Sequence, residues 1–372
     1  MPIRKVLQKV KTNTFLPASL ISVQIAIAAA VGGTVGVVMV TLMLFGSYNN
    51  WFLDRSYKHG ISEENSSRVG GVIVFFGVIF FIVAHGSIIQ KDSLLETIDF
   101  RLYFRGYEWV ALLAGTLGLW EDYAERLSPA LRLQLLSVLV AGFYFAHPNE
   151  LPSNIFPSEF PQFLNNASLV GLGVVICVVG FINAGNVADG ANGLLSGIAM
   201  AVFSVAYLET GTLIFFFLVG SIFLFTVVNT TTGLMFLGDF GSYSISALIA
   251  LTCVDLYSQG NSSVWFYACL VAYPCVELVR AMLGRWRRGV PIMKADNMHL
   301  HNILFELFKS AGLNSLLANS CTGIAIAAAS SLIPLGFYLS GWVEIDSRAW
   351  MLLFSLYCFF HFILYRAISR RI

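Results

Sequence analysis

The sequence predicts an all-α integral membrane protein of about 10–11 transmembrane helices, with its active site facing the cytoplasm. Three observations predict it. The 372 residues are 57% hydrophobic and only 12% charged, with a mean hydropathy of +0.75, whereas soluble domains carry about 25% charged residues. Apolar runs of roughly the length that crosses a bilayer, about 20 residues, recur along the whole chain. The residues able to do chemistry bunch into short polar segments, and strict alternation of spans puts those segments on one side.

Eleven runs are candidate spans: 20–46, 71–89, 107–120, 131–146, 168–183, 192–209, 212–229, 242–257, 263–282, 315–338 and 348–368. The first follows a basic stretch, Arg4 to Lys11, but is too long for the apolar part of a cleaved leader and lacks a small-residue cleavage site. It reads as the first span. The third and fourth are short. The segment 147–167 carries Pro148, Pro152, Pro157 and Pro161 and cannot be helical throughout. The sixth and seventh are joined by almost nothing. The longest hydrophilic gap, 283–314, is itself rich in motif residues, so no separate soluble domain is expected. Residues 1–372 read as a single polytopic domain whose motif-bearing region is 58–302.

A net charge of +1 argues against a nucleic-acid partner, which needs a basic excess to bind phosphates. The six cysteines, Cys177, Cys253, Cys269, Cys275, Cys321 and Cys358, all sit in apolar runs with no CxxC pair, and read as small hydrophobes. Lysine and arginine set the orientation, because cytoplasmic loops carry their excess. The face reached after odd-numbered spans holds fourteen of the 22 and the other face eight. The first face is therefore read as cytoplasmic. The four N-terminal basic residues pull the other way and are outvoted.

Five polar segments follow spans one, three, five, seven and nine: Lys58–Gly71, Glu121–Arg132, Asn183–Asn192, Asn229–Ser242 and Arg285–Asn302. All five fall on the cytoplasmic face. Polar groups at membrane depth are costly and usually functional, so their convergence points to one site. Glu121-Asp122 can hold a divalent cation or act as a base, although a charged pair also marks a membrane boundary. Asn183, Asn186, Asp189, Gly190, Asn192 and Gly193 crowd into eleven residues, more than a turn needs, and offer donors and acceptors for a nucleobase or sugar. Gly238-Asp239-Phe240-Gly241-Ser242 places an Asp between glycines at a helix start, suited to Mg²⁺ and a diphosphate, or to a plain N-cap. His299 and His301, at i and i+2, do not share a helix face and lack a third ligand, which argues against zinc. Hydrogen bonding to a phosphate or hydroxyl fits them better. The basic residues before them, Arg285, Arg287, Arg288 and Lys294, can hold phosphates or follow the charge bias of the inner face. Lys58-His59-Gly60 and Arg68-Val69-Gly70-Gly71 bracket the first loop. His85 and His361 lie in apolar spans and are expected to be structural.

The ordered set NxxNxxDG, then FxGDxGS after an Asn, then an HxH loop, resembles the polyprenyl-phosphate N-acetylhexosamine-1-phosphate transferases. That family includes phospho-N-acetylmuramoyl-pentapeptide translocase and the enzymes that initiate O-antigen and enterobacterial common antigen. The basic HLH loop resembles the O-antigen and capsule branch more than the peptidoglycan one. The resemblance implies transfer of a sugar-1-phosphate from a UDP-sugar to undecaprenyl phosphate, with release of UMP, in the inner (plasma) membrane. It implies Mg²⁺, with Mn²⁺ as an alternative, held by Asp239 and Asp122. Asp122 and Glu121 match the family's acidic pair, with Asp122 the candidate base for the lipid phosphate, and Asp239 joins them in the catalytic set. Arg132 matches a basic residue of that motif. Asn186, Asp189 and Asn229 match the nucleotide pocket, Phe236 a uracil-stacking ring, and His299 and His301 the loop near the sugar and diphosphate. Asn183, Lys58 and His59 complete the substrate-binding set. A homodimer is compatible with the family.

The departures are Glu121 for an Asp, Asn192 for the Asp of DGxDG, Asn302 for a His after HLH, and Ser66-Ser67 where a Pro is usual. They bear on sugar choice, since Asp122, Asp189 and Asp239 remain. The alternative reading is a multi-span secondary transporter. Such proteins place their sites near the bilayer midplane, whereas here the carboxylates cluster at span ends.

Overall fold

The computed structural model describes residues 18–49, 53–54, 66–89, 105–124, 128–153, 161–260, 262–293 and 297–369. Within them the chain is an all-helical membrane protein. Its helices are α1 (Ala18–Tyr48), α2 (Gly70–Ile89), α3 (Glu108–Ala124), α4 (Pro129–Ala146), α5 (Ala167–Ala188), α6 (Leu194–Thr210), α7 (Leu213–Thr232), α8 (Gly238–Ser258), α9 (Val264–Leu270), α10 (Ala272–Arg287), α11 (Leu300–Ser310), α12 (Ser315–Ala327), α13 (Ile333–Ser340) and α14 (Ala349–Ile368). Short strands β1 (Leu53–Asp54) and β2 (Ser66–Ser67) pair antiparallel.

Every one of the eleven apolar runs is helical; among the described residues the helices outside them are the amphipathic α11 and two short 3-10 turns, Pro148–Glu150 and Gln162–Asn165. Six of the spans are long and apolar enough to cross a membrane on their own, counting α12 to α13 as one, and α9 with α10 make a seventh, bent by 80°. Three more are apolar but shorter as described, Gly33–Tyr48, Gly70–Ala84 and α6; α3 has 17 residues. The bend between α9 and α10 falls at Val271, three residues before Pro274, whose missing N–H cannot continue the α9 ladder. Between α12 and α13, residues Ala328–Leu332 form a π turn just ahead of Pro334, where the ladder is again interrupted. Gly211, at φ +69, closes α6 and turns the chain directly into α7.

The most enclosed helix is α8, and it has a small-residue surface. Its neighbours approach through glycine. A Cβ on Gly71 of α2 would overlap the Gly241 backbone, one on Gly118 of α3 the Asp239 carbonyl, and one on Gly185 of α5 the Ser246 hydroxyl. Backbones packed this closely are how membrane helices gain dispersion contacts where no hydrophobic drive separates lipid from side chain. The consequence is local: α2, α3 and α5 all meet α8 near the end that carries Asp239. The six cysteines are free, with Cys177 and Cys321 on the outer surface and Cys269 buried.

Candidate active site at one end of the bundle

The segment from Ser67 to Gly71 is laced to residues 234–237. The Ser67 N–H donates to the Leu234 carbonyl at 2.9 Å, Phe236 N–H to the Ser67 carbonyl at 2.8 Å, Gly70 N–H to Phe236 O at 3.0 Å and Gly71 N–H to Leu237 O at 3.0 Å. Gly238 then turns at φ +71, and a side chain there would strike the Arg68 carbonyl. Only glycine accepts both that dihedral and that approach. Arg68 is thereby fixed beside the first turn of α8.

The acidic pair Glu121-Asp122 lies in the last turn of α3, against that same turn. Arg68 Nη1 donates to Asp122 Oδ1 at 2.5 Å, and the Asp239 backbone N–H donates to Asp122 Oδ2 at 2.9 Å. Arg132 Nη1 donates to Glu121 Oε1 at 2.7 Å and the Tyr243 hydroxyl to Glu121 Oε2 at 2.9 Å. The two neighbouring carboxylates are therefore oriented by different partners. Among the described residues no donor reaches the side-chain carboxylates of Asp189 or Asp239. Asp239 has Asp122, Glu121, Arg68 and Arg132 as its charged neighbours; Asp189 has Asp239, Asp122 and Arg68. Burial chiefly, and then those two aspartates, push the Asp189 carboxyl well above the usual carboxylate range, with Arg68 offsetting part of the effect. Four carboxylates thus face two guanidiniums, a surplus of negative charge that suits a divalent cation. Among the described residues no three His, Cys, Asp or Glu side chains form a metal cage.

The remaining motif residues divide by use. Asn186 Oδ1 accepts from the Ser242 hydroxyl at 2.7 Å, tying α5 to α8 next to Asp189. Asn183 Nδ2 donates back to Val179 O at 2.8 Å, within its own helix. Asn229, expected in the nucleotide pocket, is buried and committed to protein. It accepts from Gly193 N–H at 2.8 Å and donates to Met235 O at 2.8 Å and Asn192 Oδ1 at 3.2 Å. Asn192 in turn donates its backbone N–H to Asn319 Oδ1 at 2.9 Å and its Nδ2 to Ser320 Oγ at 3.3 Å. This amide ladder joins α7 and α12 to the turn after Asp189, so it holds the turn rather than lining a cavity. Phe236 is half-buried and bonded through its backbone to Ser67 and Gly70. Lys58 and His59 lie outside the described residues, as do Lys294 and Asp296.

The HxH loop corrects one expectation. His299 caps α11 in an extended conformation and His301 sits in its first turn. The two rings stack with centroids 5.5 Å apart and planes 3° apart, because the helical i, i+2 rule does not apply across a cap. His361 is corrected too. It joins this loop rather than standing apart, since its Nε2 and His299 Nδ1 both bond the buried Glu277, at 3.0 Å each. Arg280 bonds Glu277 at 2.5 Å, donates to Met298 O at 2.6 Å and lies 3.8 Å from the Tyr365 ring centroid. Sequence reading gave Glu277, Arg280 and Tyr273 no role in the site. The signal that marks the first two was present: two ionisable residues at i, i+3 inside an apolar run.

The described site residues are thus gathered at one end of the bundle, as span alternation requires. Residues 105–257 match the family model described as glycosyl transferase family 4. The chain is 27% identical to phospho-N-acetylmuramoyl-pentapeptide-transferase of Streptococcus agalactiae over 54% of the chain and 54% of the relative, so it spans about half the length of that relative. It is 25% identical to the Aquifex aeolicus protein of the same description over 69% of the chain and 76% of the relative. It is 26% identical to undecaprenyl-phosphate alpha-N-acetylglucosaminyl 1-phosphate transferase of Thermotoga maritima over 68% of the chain and 72% of the relative. With the ordered motifs on one end of an all-helical membrane bundle, these matches make the chain similar to glycosyl transferase family 4 over residues 105–257.

Proposed function

We propose that the protein transfers an N-acetylhexosamine-type sugar-1-phosphate from a UDP-sugar to undecaprenyl phosphate, releasing UMP. This would initiate a cell-envelope polysaccharide of the O-antigen or capsule kind at the cytoplasmic face of the inner membrane. The observation that carries the reading is the coupling of Asp122 to the Asp239 backbone within a cluster of four carboxylates and two arginines. One reactant is soluble and the other a lipid, so the chemistry belongs at a span end, where this cluster sits.

Asp122 serves as base, removing the proton from the lipid phosphate. The freed oxygen bonds to the sugar-bearing phosphorus while the phosphoanhydride bond to UMP breaks. Arg68 and Arg132 offset the charge of two anionic reactants, which otherwise repel. Asn186 and Asp189 bind the uridine end, and His299 and His301 the sugar and diphosphate. Asp239 and Asp122 would hold Mg²⁺ or Mn²⁺, which when bound neutralises the diphosphate.

The test is UMP release by purified protein with undecaprenyl phosphate, Mg²⁺ and a panel of donors that includes UDP-N-acetylglucosamine and UDP-N-acetylmuramoyl-pentapeptide. Release with an aminosugar donor, abolished by EDTA and by Asp239→Ala, is expected. Release with the pentapeptide donor alone would move the protein to the peptidoglycan branch. Solute uptake into proteoliposomes with no covalent product would replace the reading with a transporter.

A further inference from the structure

Tyr273 lies in the first turn of α10, fully buried, and reaches His301 twice. The His301 backbone N–H donates to the Tyr273 hydroxyl oxygen at 3.2 Å, and that hydroxyl lies 2.7 Å from His301 Nδ1. A phenol has one hydrogen to give. Among the described residues the Tyr273 hydroxyl has no other acceptor, so if Nδ1 carried a proton, the phenol hydrogen would be buried with nothing to bond. Leaving a buried donor unmet costs more than a hydrogen bond gains. The Tyr273 hydrogen therefore goes to the Nδ1 lone pair, and the imidazole proton sits on Nε2.

Nε2 points at the turn after Asp189. A Cβ built on Gly190 would lie 3.0 Å from it, so the missing side chain leaves room for the N–H to find a partner. The ring is neutral. Burial and then His299 hold the His301 imidazolium down at about 3, with Glu277 acting the other way and Arg280 with His299. The Nδ1 of His299 faces Glu277, a carboxylate that can only accept and that Arg280 also grips, so this nitrogen bears hydrogen. Nδ1 thus bears hydrogen on His299 and none on His301, each set by a residue of α10.

We propose that Tyr273 is a positioning residue that locks His301 as its Nε2–H tautomer and so presents a neutral hydrogen-bond donor to the donor substrate beside Gly190. The assignment of that ligand rests on the transferase reading above; the tautomer does not.

Two measurements test it on the full-length protein in detergent. The first is the ¹⁵N spectrum of histidine-labelled protein, with His301 assigned by its loss in His301→Gln. The expected spectrum has a protonated Nε2 and an unprotonated Nδ1 on His301, becoming a tautomer mixture in Tyr273→Phe. A protonated Nδ1 in the wild type, or no change in Tyr273→Phe, overturns the proposal. The second, for use even where Tyr273→Phe fails to fold, compares His301→Gln with His301→Asn. Glutamine places its amide N–H near the position of Nε2, and asparagine near that of Nδ1. His301→Gln is expected to keep kcat/KM within about tenfold of wild type, and His301→Asn to lose at least tenfold more, one tenfold step being about the weight of one hydrogen bond. Equal activity in the two, at equal melting temperatures, overturns the proposal. If the wild type released no UMP with any donor, the transferase reading would fall, while the spectrum would still decide the tautomer.

Discussion

Asp122 spends one oxygen on a side chain and the other on a backbone: Oδ1 meets Arg68 at 2.5 Å and Oδ2 takes the Asp239 N–H at 2.9 Å. The residue proposed as base therefore also sets where the Asp239 carboxylate stands. Asp122→Asn keeps one acceptor but turns an amide N–H₂ towards Arg68. UMP release is expected to fall by about 10²–10⁴-fold, the usual worth of a positioned base. Arg68→Gln is expected to lose less, since it leaves the Asp239 N–H contact intact. Single-turnover rates on both variants check the order.

Helix α3 meets α8 at Gly118, where a methyl group would overlap the Asp239 carbonyl. Gly118→Ala is expected to cost about 1–3 kcal/mol through forced separation of the two helices and to lower activity more than stability, because the displaced atoms belong to Asp239. Thermal unfolding in detergent together with turnover distinguishes the two effects. The same change at Gly142, which meets nothing within 4 Å, is the control.

Asp189 has its pKa raised by burial, by Asp239 and by Asp122. A carboxyl raised in the folded state holds its proton after the unfolded chain has lost it. Its favourable contribution is full at low pH and is lost as pH rises from the ordinary Asp value, about 4, through the folded one. Without divalent cation, Asp189→Asn is expected to melt above wild type at pH 8, with the gap closing towards pH 4, and to bind donor poorly. Melting curves across pH in EDTA check the sign.

Glu277 is enclosed by Arg280, His299 and His361. Removing one partner of a buried ion pair strands the other, at a cost of ~3–5 kcal/mol. Glu277→Gln is expected to destabilise the protein by that order and to loosen His299, read as a lowered melting temperature and a raised KM for the donor. Glu277→Asp should recover part of both.

The sequence makes the spans legible because a bilayer imposes one length and one composition, and all eleven apolar runs are helices. The clustering of Asp122, Asp189 and Asp239 is legible for a topological reason: alternate span ends must share a face. What alternation cannot tell is which way an amide turns. Asn186 and Asn229 look alike in sequence, yet one bonds Ser242 beside Asp189 and the other holds a turn together. Nor does periodicity reach across a helix cap, so the stacking of His299 on His301 depends on the extended backbone at His299. His361 looked isolated because its partner, Glu277, lies 84 residues away.

Helix α14 follows the last motif by some fifty residues and carries none itself, which gives it the look of an appendage. It nonetheless supplies His361 to Glu277 and the Tyr365 ring to Arg280, and seats the buried Trp350 against Phe266. A premature stop codon after Ile345 would preserve every signature by which a genome survey recognises the protein. Its product would still lack the far wall of the polar nest behind His299. In this gene an intact motif region is therefore no warrant of a working allele; the reading frame has to be followed to the final span.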